Sequence, residues 1–260
     1  MAKPSGVEID YLSATVVQFA TVANGVLTSE ATGFMYSKNE SNYLITNWHV
    51  VTGINAETKI REKIQPDRIR VWHHQKDFYV QWKCIEIPLY EQGEPRWIEH
   101  PGNQVERDYF KIDIVAIPLE KIEGIQYICI NQNQFNHNID LEVGDAVSII
   151  GFPLGEVVNG KVPIWKSGHI ASDLGVPYLG NPVFLIDATT KPAMSGSPVV
   201  AKRTKYRQVV DKEIIEFNRV YKFLGVYSGR TSEMSDIGMV WNAELIDEII
   251  ESSKTKQERA

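Results

Sequence analysis

The sequence has few cysteines and no long apolar run. Its 260 residues include only two cysteines, Cys84 and Cys129, and both lie in apolar stretches that resemble strands. We therefore expect buried free thiols, and a small scaffold held together by disulfides is excluded. No apolar run approaches the roughly 18 residues that a membrane-spanning helix needs, so a membrane partner is not expected.

An excess of positive charge is also lacking. The chain has 27 Lys and Arg residues against 33 Asp and Glu residues, which gives a formal net charge of −6. Nucleic acids and anionic membranes favour a basic protein face, so this balance argues against both as partners. The start of the chain, MAKPSGVEIDYLSATVVQFA, does not have the basic and apolar regions of a signal peptide, which predicts a cytoplasmic location.

Signatures of cofactor and metal sites are missing too. The sequence contains no phosphate loop, zinc pattern or dinucleotide fingerprint. His73 and His74 are adjacent on a predicted strand and point to opposite faces, so together with Asp77 they make a poor metal site. The pair Glu99 and His100 is equally weak. We expect no cofactor, no metal, and structural or surface roles for these histidines.

Strand signals dominate what is present. Short stretches rich in β-branched and aromatic residues alternate with turn-forming residues along most of the chain. They lie at 14–22, 31–37, 42–51, 68–74, 78–87 and 113–119, and then at 146–153, 162–172, 182–189, 197–202, 217–229 and 238–243. A long helix is predicted only near 243–254, with Asn242 as its N-cap. Its apolar stripe consists of Leu245, Ile246, Ile249 and Ile250. This pattern predicts an all-β sandwich or barrel.

Three residues in separate stretches could act together in nucleophilic catalysis. His49 ends the strand LITNWHVV, Asp113 opens the strand DIVAIPL, and Ser195 lies in the turn KPAMSGSPVV. Taken singly, each is explained more simply as a structural or turn residue. Together they supply the hydroxyl, the imidazole that accepts its proton and the carboxylate that orients the imidazole. The order His, Asp, Ser is that of the two-barrel serine proteases.

Five stretches resemble motifs of the bacterial trypsin-like serine peptidases of the chymotrypsin fold. They are ATGFMYSKNESNYLITNWHVV, DIVAIPL, VSIIGFPLG, TTKPAMSGSPVV and LGVYSG, and the resemblance runs from about residue 14 to residue 250. It implies a serine endopeptidase that cleaves protein or peptide substrates through an acyl-enzyme and needs no cofactor. It also implies two six-stranded antiparallel β-barrels at 10–119 and 141–240, a linker at 120–140 and a C-terminal α-helix at 241–254.

The same resemblance assigns a role to each site residue. His49 would be the general base and acid, Asp113 its orienting carboxylate, and Ser195 the nucleophile. The backbone N–H groups of Ala193 and Ser195 would form the oxyanion hole. Asp108 competes with Asp113, which is preferred because the apolar run begins immediately after it.

Two residues beside the nucleophile depart from the family pattern. Ala193 stands where the family usually has a glycine, at a position whose positive φ costs alanine roughly 1 kcal/mol. A second hypothesis is therefore a conditionally active or inactive protease-fold module that serves binding or regulation, restrained by this turn and awaiting a regulatory partner. Met194 replaces the aspartate that pairs with a newly cut N-terminal amine in zymogens, so we expect no activation of that kind.

The resemblance places a specificity pocket between the nucleophile segment and a later strand. Its expected lining is Thr189, Thr190, Tyr227, Ser228, Gly229 and Arg230, with His169 nearby. A preference for Lys or Arg would need an acid at Thr189, so cleavage after these residues is not expected. The Thr-Thr pair resembles glutamate-specific relatives, in which a histidine usually replaces Tyr227. Arg230 or His169 could supply the cation for such a substrate, and a pocket for a small apolar side chain is the equal alternative.

Overall fold

The first half of the chain forms a seven-stranded antiparallel sheet. The computed structural model describes residues 9–76, 78–104, 111–132, 139–210 and 213–257. Helix α1 (Tyr11–Thr15) precedes the sheet, and helix α2 (Trp48–Thr52) follows its third strand. The strands of this half are β1 (Val16–Ala23), β2 (Val26–Lys38), β3 (Ser41–Thr46), β4 (Arg68–Gln75), β5 (Phe78–Pro88), β6 (Tyr90–Glu91), β7 (Glu94–Pro95), β8 (Ile98–Glu99) and β9 (Val115–Leu119). The spatial order is β5-β4-β1-β2-β3-β9-β8, and β6 and β7 pair separately.

Strand β1 is buried along its whole length because it lies between the two halves. Alternate side chains of a strand point to opposite faces. Val17 and Phe19 therefore enter the core of the first half. Gln18, between them, faces the second half, where its Nε2 donates to the carbonyl oxygen of Gly155 at 2.9 Å.

The second half forms a closed six-stranded barrel. Its strands are β10 (Ala146–Gly151), β11 (Ile164–Ile170), β12 (Val183–Asp187), β13 (Pro198–Val210), β14 (Glu213–Arg230) and β15 (Ile237–Asn242). They follow one another around the barrel as β10-β11-β12-β15-β14-β13. Aliphatic and aromatic side chains fill its interior, among them Ile149, Phe184 and Val199.

The C-terminal helix α3 (Glu244–Gln257) packs the end of the chain onto the first half. Its predicted apolar stripe is buried in the core cluster that also holds residues from both halves. The Tyr36 hydroxyl on β2 donates to Asp247 at 3.0 Å. Lys38 pairs with Asp247 at 2.9 Å and with Glu251 at 2.6 Å. The helix covers Glu244–Gln257, where 243–254 was expected from the apolar stripe and 241–254 from the resemblance. Asn242, the expected N-cap, is the last residue of β15 instead.

The predicted all-β, chymotrypsin-like fold class with a C-terminal helix is confirmed. Within that class the first half carries a seventh strand, because the two-residue strand β8 pairs with β9 at the sheet edge. The boundaries proposed for the two halves and their linker stay a prediction. No helix within the described residues is long and apolar enough to cross a membrane.

The two cysteines differ in their surroundings. Both are free thiols, and Cys129 is buried as expected. Cys84 is exposed, so the prediction of burial was wrong for this residue. The reason is its position on β5, an edge strand that is exposed along most of its described length.

Candidate active site

His49 and Asp113 form a close pair between two neighbouring strands. Strand β3 ends just before the short helix that carries His49, and Asp113 lies two residues before β9, which pairs with β3. His49 Nδ1 lies 2.7 Å from Asp113 Oδ2, and the His49 backbone N–H donates to Asp113 Oδ1 at 2.8 Å. Opposite an ionised carboxylate, which only accepts hydrogen bonds, a neutral imidazole carries its proton on Nδ1 and keeps the lone pair of Nε2 free.

Asp113 is a buried carboxylate whose oxygens are well supplied with donors. Its side chain is 2% exposed, against 28% for His49. Ser228 Oγ also donates to Asp113 Oδ2, and Asn47 Nδ2 donates to the Asp113 backbone carbonyl at 2.6 Å. A buried carboxylate is costly unless it is hydrogen-bonded, and this one accepts from the His49 backbone N–H, His49 Nδ1 and Ser228 Oγ. Asp108, the competing carboxylate, lies outside the described residues, as does Asp77.

Ser195 is linked to this pair through Ser228. Ser195 Oγ donates to the Ser228 carbonyl oxygen at 3.2 Å, while the Ser228 side chain holds Asp113. Among the hydrogen bonds of the described residues, none joins Ser195 Oγ to His49 Nε2. Such bonds are often long without substrate and tighten in the reacting complex. The sequence placed Ser228 in the specificity pocket and gave no signal of its bond to Asp113.

The turn before Ser195 has the backbone form that the sequence identified as costly. Ala193 has a φ of 72°. The Met194 N–H donates to the Lys191 carbonyl at 3.4 Å, which closes a four-residue turn with positive φ at its third position, as in a type II turn. Alanine thus adopts the conformation that glycine would take more cheaply.

Carbonyl groups around this turn are held by donors from other segments. The Leu154 N–H donates to the Pro192 carbonyl at 2.8 Å, and Thr32 Oγ1 donates to the Ala193 carbonyl at 2.9 Å. The Thr32 N–H donates to the Ser195 carbonyl at 3.1 Å. In a trans peptide the N–H points opposite to the C=O, so the Leu154 contact directs the Ala193 N–H to the other side.

Two backbone donors beside the nucleophile have no acceptor among the residues that the structure describes. Among the described residues, no acceptor binds the N–H of Ala193 or the N–H of Ser195. Backbone N–H groups are strong donors that are normally paired. These two are therefore available to a ligand oxygen beside the Ser195 hydroxyl, which is the requirement for an oxyanion hole.

The residues expected to line the specificity pocket divide into buried and exposed groups. Thr190 and Tyr227 are both 2% exposed, and the Tyr227 hydroxyl forms a hydrogen bond with Thr190 Oγ1. Burial raises the pKa of Tyr227 above its usual range, so the phenol is neutral. Thr189, Arg230 and His169 are exposed. Neither of the two proposed cations is therefore buried within the pocket.

The resemblance to known proteins decides the family. Residues 31–206 match the family model described as a trypsin-like peptidase domain, which is more than half of the chain. The chain belongs to the trypsin-like peptidase family. Membership supports a serine protease in the general sense, and it confirms the resemblance noted in the sequence.

Solved structures agree with this assignment at the level of the fold. The serine endoprotease from Yersinia pestis has a TM-score of 0.53 and 16% identity, with 95% of this chain and 67% of that chain covered. The thermostable serine protease AL20 from an extremophilic microorganism has a TM-score of 0.54 and 11% identity, with 95% and 100% covered. Identities this low show a shared fold only. No curated protein matches the chain.

As a trypsin-like peptidase, the chain brings its candidate site together from both halves. His49 and Asp113 come from the first half, and Ser195 and Ser228 from the second. Sequence reasoning missed Thr32 as a support of the nucleophile turn, although it lies in one of the quoted motifs. No group of three or more His, Cys, Asp or Glu side chains within the described residues could hold a metal ion.

Proposed function

We propose that the protein is a serine endopeptidase that hydrolyses internal peptide bonds of protein substrates through an acyl-enzyme. The observation that carries the proposal is the contact of His49 Nδ1 with the buried carboxylate of Asp113 at 2.7 Å. It orients the imidazole with its basic nitrogen free, which a serine nucleophile requires. The unpaired N–H groups of Ala193 and Ser195 support the same function.

In the first stage, Ser195 Oγ attacks the substrate carbonyl carbon. For this step its hydroxyl leaves the Ser228 carbonyl and donates to His49 Nε2, which accepts the proton as the Oγ–C bond forms. The carbonyl oxygen becomes an oxyanion that accepts hydrogen bonds from Ala193 and Ser195. His49 then protonates the leaving amine, the C–N bond breaks, and the acyl group remains on Ser195.

Hydrolysis of the acyl-enzyme repeats these steps with water as the nucleophile. His49 Nε2 accepts a proton from the attacking water, and the same two N–H groups bind the second oxyanion. Collapse of this intermediate breaks the ester bond, and His49 returns the proton to Ser195 Oγ. Asp113 stays ionised throughout and stabilises the imidazolium.

A conditionally active protease-fold module is the second candidate. It is favoured by the hydroxyl of Ser195, which donates to the Ser228 carbonyl instead of His49. Ala193 also holds a φ of 72°, which costs alanine energy. In this alternative a regulatory partner must bind before Ser195 turns to His49.

A fluorophosphonate probe tests the proposal directly. We expect stoichiometric labelling of the folded protein, loss of labelling in Ser195→Ala, and much slower labelling in His49→Ala. Ser41→Ala is the matched control, because Ser41 is an exposed serine at the start of β3, at the opposite end of that strand from His49. Folded protein that does not label contradicts a constitutive enzyme. Labelling that begins only when a second protein is added favours the conditional module.

A further inference from the structure

The space for a substrate side chain is bounded on three sides by described residues. With Ser195 as the nucleophile, the P1 residue is the one whose carbonyl carbon is attacked. The family resemblance places its side chain between the segment that leads to Ser195 and strand β14. Thr190 lies on the first of these segments and Tyr227 on the second. Gly238 on β15 pairs with Arg230 and forms the third side.

The ring of Tyr227 crosses this space from one side to the other. A Cβ placed on Gly238 would lie 2.7 Å from Tyr227 Cε2, so the ring rests directly against the Gly238 backbone. At its far end the hydroxyl forms a hydrogen bond with Thr190 Oγ1. One aromatic side chain therefore spans from strand β14 to the nucleophile segment and lies against Gly238 on β15.

The surroundings of Tyr227 hold the ring in place. It belongs to a core cluster that includes Ile186, Met194 and Val240, all of them buried. Its hydroxyl is satisfied by Thr190, so moving the ring would break a buried hydrogen bond and open an apolar cavity. A substrate cannot displace this side chain cheaply. The position of the ring is thus fixed by the folded protein and does not depend on a bound ligand.

Charged P1 side chains find no buried partner there. The charge of Arg230 acts on the Tyr227 hydroxyl and opposes the rise in its pKa, but the Arg230 side chain is exposed. His169 and Asp187, which face each other in the register of β11 and β12, are exposed as well. A carboxylate or ammonium brought into a closed pocket loses its hydration and needs a paired charge in return. The neutral phenol and hydroxyl of Tyr227 and Thr190 do not supply one. Small uncharged side chains avoid this cost.

We infer that Tyr227 fills the primary specificity pocket and restricts cleavage to peptide bonds that follow small side chains such as alanine, glycine or serine. The inference rests on the proposed function and deepens it, because it names the class of substrate at the same site. Of the two pocket hypotheses left open by the sequence, it selects the small side chain over the acidic one.

Peptidyl diphenyl phosphonates that differ only in the P1 side chain test the inference. Each reacts with the nucleophile after its P1 group enters the pocket, and the measured quantity is the inactivation rate. We expect the alanine probe to react at least about tenfold faster than the valine, phenylalanine, glutamate and lysine probes. A wild-type protein that reacts fastest with phenylalanine, glutamate or lysine overturns the inference.

Two variants of Tyr227 separate the ring from its hydroxyl. In Tyr227→Ala, the inactivation rate of the phenylalanine probe should rise by about tenfold or more relative to that of the alanine probe, because the tyrosine ring is removed. Tyr227→Phe keeps the ring and should keep the alanine preference. Tyr221→Phe is the matched control on the same strand and should leave the order unchanged, since Tyr221 lies in a different core cluster. An unchanged order in folded Tyr227→Ala contradicts the inference.

A fluorophosphonate without a P1 side chain distinguishes this inference from the proposed function. If the protein labels with this probe but prefers large or charged P1 side chains, the proposed function is supported and the inference is wrong. If the folded protein does not label, both the proposed function and the inference are contradicted. If Tyr227→Ala does not fold, Tyr227→Val removes the ring while retaining a strand-forming side chain, and it carries the same expectation.

Discussion

At the residue scale, the chemistry depends on backbone groups as much as on side chains. Ala193 illustrates this, because its contribution is a backbone N–H and its side chain is only tolerated. The sequence predicted that a positive φ would be costly at this position, but not whether the turn adopts it. The structure shows Ala193 at a φ of 72°, and none of the described residues accepts from its N–H. The strain is therefore present in the turn that would form the proposed oxyanion hole.

Replacing Ala193 by glycine should relieve that strain. A left-handed residue costs alanine about 1–2 kcal/mol, and the greater freedom of unfolded glycine offsets part of the gain. We expect Ala193→Gly to raise the free energy of unfolding by up to about 1 kcal/mol, measured by urea denaturation. Fluorophosphonate labelling should be retained. A less stable variant would show that the methyl group makes a contact that outweighs the strain. Ala171→Gly, at an exposed alanine outside a helix or strand, serves as the reference for the effect of glycine itself.

At the scale of elements, strand β2 of the first half is hydrogen-bonded to the nucleophile turn of the second half. Thr32 on β2 is fully buried and makes three contacts with the second half. Its hydroxyl donates to Ala193, its N–H donates to Ser195, and Phe152 N–H donates to its Oγ1 at 3.2 Å. No local pattern in the sequence could reveal this, since Thr32 and Ala193 are 161 residues apart.

Removing the Thr32 hydroxyl should loosen the turn without changing the side-chain volume. Thr32→Val leaves the Ala193 carbonyl and the Phe152 N–H without partners, and each costs about 1–3 kcal/mol. We expect lower stability in urea denaturation and slower labelling of Ser195. Thr32→Ser restores the hydroxyl and should recover most of the labelling rate. Equal labelling in the valine and serine variants would contradict a role for the hydroxyl.

At the scale of the whole molecule, runs of β-branched and aromatic residues between turn formers were enough to predict most strands and an all-β class, and the family resemblance supplied the chymotrypsin-like arrangement. The apolar stripe of α3 was equally informative, because 3.6-residue periodicity is a local property. Contacts between distant segments were not predictable. Ser228 reaches Asp113 across 115 residues, and the sequence assigned it to the pocket. Residue type and spacing identify candidate catalytic residues, but they do not identify the groups that support them.

Stability should also depend on pH through a buried histidine. Burial, with a smaller effect of His74, lowers the pKa of His73 from 6.5 to about 4. The unfolded chain therefore binds a proton below pH 6.5, while the folded protein does so only near pH 4. Stability is thus retained above the unfolded pKa and falls by roughly 3 kcal/mol as the pH drops between these two values.

Substitution of His73 should flatten this profile. We expect His73→Gln to reduce the difference in the free energy of unfolding between pH 7 and pH 4.5, measured with urea. His169→Gln is the control, because His169 is exposed and should not change the profile. A wild-type protein with equal stability at both pH values would show that His73 titrates normally in the folded state.

Two adjacent residues of β14 serve different ends of the site. Tyr227 turns into the barrel core, and Ser228 turns toward Asp113 at a point where the register of β14 against β15 shifts. A slip of this strand by one residue would exchange the two side chains and lose both roles. Under the proposed specificity, replacing the Tyr227 side chain alone would change the substrate range, whereas a one-residue insertion or deletion beside it would also move Ser228 away from Asp113.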